Sequence, residues 1–166
     1  LEIQIYDVRE EKYWADLTFL PLFQNKKIVG VFAIVKNITD RYKTEEHLQL
    51  LKRGLDASPN GIVITDATSN HEIVYINPAF LKLTGYSEKE ISGRNCRFLQ
   101  GEDTDINAVQ EIHQALKDKR EIQTILKNYR KDGTWFWNQL TLSPVWNQNN
   151  ECTHFIGKFL FYLVDV

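Results

Sequence analysis

Hydrophobic and polar positions alternate differently in three successive parts of the chain. Residues 13–39 are rich in β-branched and aromatic residues around a polar stretch at 24–27, which predicts two strands joined by a turn. Residues 40–56 change to helix-favouring residues, and Thr39 or Asp40 can cap the start of that helix. Because an isolated hairpin is marginally stable in water, we expect the first part to pack against another element.

Three leucines in the predicted helix, Leu48, Leu51 and Leu55, follow a heptad-like spacing. The spacing fits a helix that packs one apolar stripe against its own domain. It fits equally well a short coiled-coil connector between two modules or two chains. The stripe is too short to separate these two interpretations.

The third part of the chain mixes short strands with short helices. Two strands are predicted first, followed by helices and then by three further strands. The predicted strands lie near residues 62–66, 72–77, 121–130, 134–145 and 152–164. This order predicts an α+β domain in which an antiparallel sheet carries its helices on one side.

Three helices are predicted between the second and third of these strands. Asn77 precedes the first helix and Gly85 ends it, while the tetrapeptide SEKE is a capping box for a second helix that Gly93 ends. A longer helix is predicted near 104–119. Its apolar stripe contains Ile106, Val109, Ile112 and Leu116.

The two strands at 121–130 and 134–145 form a predicted hairpin. An Asp-Gly dipeptide signals the turn, and we expect a three-residue loop at 132–134, which pairs Lys131 with Trp135. In that register Asn128 lies directly opposite Asn138, and a two-residue loop would shift the pairing by one. Both asparagines share a face with four apolar residues, which predicts an interior face. These residues are Leu126, Phe136, Leu140 and Leu142.

Two amides side by side on a buried face cost free energy unless hydrogen bonds satisfy them. Either they bond each other or the backbone, or they bond a planar heterocycle with donors and acceptors along one edge. The hairpin alone leaves both interpretations open. The opposite face carries Tyr129, Trp135 and Trp137, which indicates a covering element such as a helix, the N-terminal hairpin or a second subunit.

Composition narrows the class of protein. Hydrophobic residues make up 43% and charged residues 25% of the 166 residues, which is typical of a globular domain. The net charge is −2 without a basic block, so we expect no nucleic-acid partner. No apolar run is long enough to span a bilayer, so we expect no membrane partner. Two isolated cysteines do not form a disulfide framework, which favours a cytoplasmic location.

The segment GRNCRFLQGEDTD at 93–105 contains one of the two cysteines, Cys96. A single cysteine is usually a small buried hydrophobic residue. No closely spaced set of cysteines and histidines surrounds it, so a metal site is not expected. A nucleophilic cysteine with His113 as its base is conceivable, but the spacing does not support it.

This segment resembles the signature of LOV domains, the flavin-binding blue-light sensors of the PAS superfamily. The resemblance continues through GIVITDA, YINPAFLKLTGYSEKEI, NYRKDGTWFWNQLTLSPV and HFIG, and covers roughly residues 57–158. It implies the PAS/LOV fold, in which a five-stranded antiparallel sheet and short helices enclose a flavin pocket. The N-terminal hairpin and the linker helix lie outside that fold.

The resemblance implies a blue-light photoreceptor module that binds a flavin noncovalently, with FMN expected and FAD as the alternative. Cys96 matches the cysteine that adds reversibly to flavin carbon C4a on illumination. Arg97 matches a residue that pairs with the flavin phosphate, and Asn128 and Asn138 match the asparagines that bind the pyrimidine edge. The remaining implied pocket residues are Thr65, Asn95, Leu99, Gln100, Leu140 and Leu142.

Two positions depart from the family pattern. His113 falls where a second phosphate-binding arginine is common, which implies weaker cofactor retention or a different phosphate arrangement. Phe159 falls where the family has a glutamine that contacts flavin N5 and passes the signal to the sheet. Phenylalanine cannot exchange hydrogen bonds with N5, so we expect the photochemistry to survive and the signal to leave by another route.

The N-terminal part resembles the last two strands of a second PAS domain, and NITDRYKTEE resembles the junction that follows such domains. We therefore expect the C-terminal strands of an upstream PAS domain at 1–39, a helical linker at 40–56 and a LOV domain at 57–166. The output domain is expected outside this chain. A homodimer through the linker helix and the sheet face with Trp135 and Trp137 is also expected.

Two alternative functions stay open at this point. A flavin-bound redox sensor would respond to ambient reductant instead of light, and the missing glutamine favours it. A PAS interaction or dimerisation module without a ligand is disfavoured by the paired amides and by Arg97. An enzyme is not expected, because no base or substrate cleft is evident beyond the flavin pocket.

Overall fold

The computed structural model describes residues 1–6 and 9–162, and it divides the chain into two compact units, Leu1–Arg53 and Gly54–Val166. Residues 7–8 of the predicted first segment lie outside the described residues. The same holds for residues 163–166 of the predicted LOV domain, which include the last two positions of the strand predicted at 152–164.

The first unit contains a three-stranded antiparallel sheet in the order β1-β2-β3. The predicted hairpin is confirmed as β2 (Lys12–Gln24) and β3 (Lys27–Asn37), while the preceding strand β1 (Glu2–Tyr6) was not predicted. The two turn residues, Asn25 and Lys26, both have positive φ, as the tight two-residue loops of hairpins require.

Helix α1 (Thr39–Asp56) confirms the predicted helix at 40–56. None of its residues is buried, and the side chains of Leu48 and Leu51 are 57% and 65% exposed. The interpretation of a stripe packed against its own domain is therefore wrong for these two leucines. The coiled-coil connector stays a prediction.

The second unit is built on a five-stranded antiparallel sheet in the order β5-β4-β8-β7-β6, with its helices inserted between β5 and β6. The predicted α+β domain with a five-stranded antiparallel sheet is thereby confirmed. The strands are β4 (Gly61–Asp66), β5 (Ile73–Ile76), β6 (Ile122–Tyr129), β7 (Trp135–Trp146) and β8 (Cys152–Tyr162). The helices are α2 (Pro78–Thr84), α3 (Glu88–Ile91) and α4 (Ile106–Asp118), with a 3-10 turn at Cys96–Leu99.

The predicted boundaries of α2 and the predicted start of α3 are confirmed by their caps, whereas α3 ends at Ile91 with Ser92, not Gly93, as its C-cap. Asn77 Oδ1 accepts a hydrogen bond from the backbone of Phe80, and Gly85 adopts a φ of 75° where α2 ends. Ser87 and Glu90 form the capping box of α3. These local signals determine where the two short helices begin and end, which the pattern of apolar residues alone does not.

The apolar stripe predicted on α4 is partly wrong. Ala108 and Ala115 are buried and Ile112 is half-buried, but Ile106 is 68% exposed. Ile106 precedes Ala108 by two residues and therefore points about 200° away from it around the helix axis. The buried stripe follows the small residues, which let α4 lie close to the sheet.

The register predicted for the β6–β7 hairpin is wrong by two residues. Tyr129 pairs with Trp135, so that Asn128 lies opposite Phe136 and not opposite Asn138. The loop occupies 131–133, since the last position of a three-residue loop needs positive φ, and glycine supplies it there with a φ of 84°. A shift of two residues preserves parity. Both asparagines therefore still point to the buried face, as diagonal neighbours.

The outer face of the sheet carries the predicted aromatic cluster. Trp135 is 46% exposed, and its ring meets Trp137 edge-to-face with centroids 6.3 Å apart. The ammonium group of Lys127 lies 4.5 Å from the Trp135 ring centroid. Within residues 54–162 no element covers Trp135 fully, so the predicted covering partner stays a prediction.

Candidate ligand-binding site

A cavity of about 310 Å³ opens between the inner face of the sheet, the 3-10 turn at Cys96–Leu99 and helix α4. This volume is at the lower end of the range for small-molecule sites. The cavity brings together all but one of the residues that sequence reasoning proposed. These are Thr65, Asn95, Cys96, Arg97, Leu99, Gln100, His113, Asn128, Leu140, Leu142 and Phe159.

The remaining residue, Asn138, lies directly behind Asn128 on the buried face. Its Nδ2 donates to Asn128 Oδ1 at 2.9 Å, and Asn128 Nδ2 donates to the carbonyl of Leu99 at 3.2 Å. The Oδ1 atom of Asn138 is buried and has no hydrogen-bond partner among the described residues. The amides therefore bond each other and the backbone, as one interpretation required, yet one acceptor is left for a further donor.

Cys96 begins the 3-10 turn, whose start is capped by the side chain of Asn95 accepting from the backbone of Arg97 at 2.9 Å. Asn95 Nδ2 donates to the carbonyl of Asn70, which ties the turn to the β4–β5 loop. Cys96 is half-buried at the cavity wall, and this removal from water raises the pKa of its thiol from 9.0 to about 12. The sulfur is thus a protonated thiol at neutral pH, which argues against a cysteine activated by His113.

Residues 101–105, the second half of the signature segment, hold this segment in place against β6 and α4. A Cβ atom at Gly101 would lie 2.4 Å from the Tyr129 ring, so only glycine fits there. Thr104 donates to the carbonyl of Lys127 at 2.7 Å and accepts from the backbone of Gly101, while Asp105 caps α4. These contacts fasten the segment to β6 and hold α4 over the cavity.

The mouth of the cavity is cationic. Four basic residues belong to its lining, and no carboxylate does. Arg97, His113 and Lys117 are exposed and form no ion pair in the part of the chain that the structure describes. Sequence reasoning missed Lys117 and His71. The position of Lys117, four residues after His113 on α4, was the available signal, because that spacing puts both on one helix face.

Phe159 closes the opposite part of the cavity as a 4% exposed side chain on β8. Its ring meets Phe80 edge-to-face, with centroids 4.9 Å apart and an angle of 78° between the planes. A Cβ atom at Gly61 would lie 3.2 Å from Phe159 Cβ, and one at Gly157 would lie 3.2 Å from Phe159 Cε2. Two glycines therefore leave the space that this ring fills.

Among the described residues no cluster of three histidine, cysteine or carboxylate side chains could hold a metal ion. In the same part of the chain, no helix combines the length and the apolar character that crossing a membrane requires.

Comparison with known proteins agrees with the fold and the cavity. A family model described as "PAS domain" matches residues 1–40 and 59–166. The chain is 42% identical over 114 residues to the bacterioopsin transcriptional activator of Halobacterium salinarum, which covers 68% of this chain and 17% of that protein. It is 40% identical over 109 residues to the blue-light photoreceptor of Listeria innocua, which covers 65% of this chain and 43% of that protein. The chain thus spans less than half the length of either relative.

A solved structure supports the same assignment. The LOV domain of a blue-light-activated histidine kinase from Erythrobacter litoralis aligns with a TM-score of 0.60 and 39% identity, covering 63% of this chain and 96% of that domain. The chain belongs to the PAS domain family, and its C-terminal unit is a LOV domain.

Proposed function

We propose that residues 57–166 form a blue-light photoreceptor module that binds a flavin noncovalently in the cavity lined by Cys96. The amide pair carries this proposal: Asn128 lines the cavity, and Asn138, which donates to it from behind, has a buried Oδ1 without a partner among the described residues. The ring edge of a flavin alternates carbonyl and N–H groups, which matches this pair of amides. The residues present therefore fit the cofactor.

When bound, a flavin supplies blue-light absorption and an electrophilic ring carbon, C4a. The thiol of Cys96, at the cavity wall, would supply both the sulfur nucleophile and the proton for a reversible adduct with that ring, so no external oxidant or reductant would be needed. The raised pKa of Cys96 keeps that proton on sulfur in the dark at neutral pH. Asn95 and Gln100 flank the thiol at the cavity wall and help to position the ligand.

We propose FMN as the flavin, because two cationic side chains and a histidine at the cavity mouth suit a terminal phosphate. Arg97 offers a planar fork of donors, Lys117 supplies the charge that a second arginine would carry, and His113 offers a ring N–H donor. FAD is the alternative outcome.

Binding of FMN, FAD and riboflavin to the apo full chain tests this assignment. FMN should bind at least about tenfold more tightly than riboflavin, since charge-assisted hydrogen bonds contribute about 1.5–3 kcal/mol each. Lys117→Ala should reduce that preference, whereas Lys82→Ala, on exposed α2 surface away from the cavity, should not. Equal affinity for FMN and riboflavin would contradict the phosphate assignment, and tighter binding of FAD would favour the alternative.

A flavin-bound redox sensor is the second candidate, and Phe159 is the observation that favours it. The phenylalanine ring at the cavity wall offers no hydrogen bond that could report protonation of the ring. Cys96 in the same cavity argues for light. A bound flavin that never bleaches in blue light, but whose reduction alters the fold, would support the redox function.

We propose the domain division 1–39, 40–56 and 57–166, with the first segment forming strands of a second PAS unit. The consecutive antiparallel order β1-β2-β3 repeats the order of β6-β7-β8, which supports this division. We also propose that the module is a sensor without an enzymatic site of its own and that it works in the cytoplasm. A fragment of residues 57–166 should retain flavin binding, whereas failure of that fragment to bind flavin would contradict the boundary.

A further inference from the structure

We propose that Phe159, Phe80 and Asn77 form a steric relay that couples the cavity to the last turn of helix α1. The inference rests on the proposed function, because it concerns how a change at the flavin site leaves that site. The relay replaces a hydrogen-bond signal with displacement of packed rings, since a phenylalanine stands at the cavity wall. Its three steps are each visible as contacts in the C-terminal unit.

The first step is the contact between Phe159 and Phe80. Phe159 lines the cavity, whereas Phe80 is fully buried behind it in α2, and the two rings meet edge-to-face. A Cβ atom at Gly61 would come within 3.3 Å of both Phe80 and Phe159, so the backbone of β4 lies close against both residues. Close-packed interiors transmit a displacement to the neighbouring group instead of absorbing it.

The second step is the cap of α2. The backbone N–H of Phe80 donates to Asn77 Oδ1 at 3.0 Å, and that same oxygen accepts from the backbone of Ile62 at 2.8 Å. Asn77 is fully buried, so its hydrogen bonds cannot exchange with water without a local rearrangement. A movement of Phe80 therefore acts directly on the Asn77 side chain.

The third step joins Asn77 to the end of α1. Asn77 Nδ2 donates to the carbonyls of Leu55 at 3.2 Å and of Asn60 at 2.9 Å. Beside it, the hydroxyl group of Tyr75 donates to Asp56 at 2.7 Å. Burial and this hydrogen bond raise the pKa of Tyr75, so the phenol remains a donor.

The last turn of α1 is the element that can take two states. No residue of α1 is fully buried; Leu55 and Asp56 in its last turn are half-buried, and their hydrogen bonds to Asn77 and Tyr75 fasten this turn. Releasing one such bond exposes polar groups to water at small cost. A shift of Phe159 on illumination can therefore loosen the last turn of α1. The loss of helical structure would then spread along α1 toward its N-terminal end.

Hydrogen–deuterium exchange of the flavin-loaded full chain tests the relay, in the dark and under continuous blue light. Amides of residues 51–58 should exchange faster in the light in the wild-type chain. Phe80→Leu and Asn77→Ser should reduce this light–dark difference by roughly twofold to tenfold, the factor that loss of one aromatic edge contact or one hydrogen bond predicts. Serine keeps the α2 cap but is too short to reach Leu55.

Phe155→Leu is the matched control, because Phe155 is a buried aromatic residue on β8 that contacts His71 and not the relay. It should leave the light–dark difference at 51–58 unchanged. Flavin absorption recorded on each sample shows whether the photochemistry is intact. The relay would be overturned if the flavin bleaches but exchange at residues 51–58 is the same in light and dark. It would also be overturned if both relay variants keep the full light–dark difference of the wild-type chain. Neither result would contradict the photoreceptor function. Absence of bleaching in the wild-type chain would overturn both the relay and the photoreceptor function.

Discussion

At the scale of single residues, the paired amides explain most about this site. Asn128 is held by the Leu99 carbonyl and by Asn138, while Asn138 Oδ1 is buried without a partner among the described residues. An unsatisfied buried acceptor costs about 1–3 kcal/mol. A donor that reached this oxygen would remove that cost.

Replacing both amides by leucine separates their cost from their function. The double variant Asn128→Leu/Asn138→Leu should unfold within a few degrees of the apo wild-type chain, since removal of the unsatisfied oxygen offsets the hydrogen bond that the Leu99 carbonyl loses. It should bind flavin at least about tenfold more weakly. Thermal unfolding and flavin titration check the two effects. A destabilised apo variant that binds flavin normally would contradict this account of the amide pair.

The thiol of Cys96 makes the free energy of unfolding depend on pH in the alkaline range. Its pKa is raised in the folded state, so the unfolded chain loses its proton first as pH rises. The stabilising contribution is fully present below the ordinary thiol pKa of 9.0, and it is lost as pH rises from there toward about 12. The free energy of unfolding of the apo wild-type chain should therefore fall more steeply over this range than that of Cys96→Ala. Parallel pH curves for the two proteins would contradict the burial of this thiol.

At the scale of secondary-structure elements, turns and caps decide more than propensity. The loop at 131–133 sets the register of β6 against β7, and Gly133 supplies the positive φ at its last position. Lys131 also binds Glu90, which lowers the pKa of Glu90 to about 2 and links the loop to α3. The loop thereby fixes which side chains of the hairpin face the cavity.

Substitution of glycine by alanine should have opposite effects at two positions. Gly133→Ala places a Cβ atom on a residue with a φ of 84° and should cost more than about 1 kcal/mol. Gly54→Ala lies in α1 with nothing within 4 Å of the new Cβ atom, and it should stabilise the helix by about 0.5–1 kcal/mol. Denaturant unfolding measures both changes. Equal effects at the two glycines would contradict the turn assignment.

The elements of the C-terminal unit follow closely from sequence, because caps such as Asn77 and Gly85 and the alternation of β7 are local signals. The hairpin register was wrong by two, since a dipeptide marks a turn without saying which loop position it fills. The exposure of Ile106 was missed for a similar reason. Its phase relative to Ala108 matters only once α4 lies on the sheet.

Some residues of the site were identified from the sequence and others were not. Resemblance pointed to Cys96 and Arg97 in one contiguous segment and to Phe159 on the last strand, and all three residues line the same cavity. It missed Lys117, because the charge of this residue indicates a binding role only once the structure shows that Lys117 lines the cavity. The contact of Phe159 with Phe80 also depends on tertiary packing, and no spacing along the chain encodes it.

At the scale of the whole molecule, exposed apolar side chains indicate surfaces that bind another protein chain. On the outer sheet face Trp135 is 46% exposed, and in the first unit Phe19, Phe23 and Phe32 are each more than half exposed. Apolar surface of this kind is common at interfaces between protein chains. The proposed homodimer would use the sheet face with Trp135 and Trp137, together with α1.

Sedimentation of the full chain over a range of concentrations checks this dimer. Trp135→Glu should weaken association at least about tenfold, since tryptophans at the centre of an interface commonly contribute 2 kcal/mol or more. Trp146→Glu changes an equally exposed tryptophan at the end of β7 and should have little effect. A strictly monomeric wild-type chain at every concentration would contradict the proposed interface.

The most direct test of the central claim is the visible absorption of the purified, flavin-loaded chain before, during and after blue light. We expect a structured flavin band that bleaches on illumination and recovers in the dark. Cys96→Ala should retain the band and never bleach, whereas Cys152→Ala, which removes the other free thiol, should bleach and recover like the wild-type chain. A band that stays unbleached in the wild-type chain, or that bleaches equally in Cys96→Ala, would contradict a photoreceptor based on this thiol.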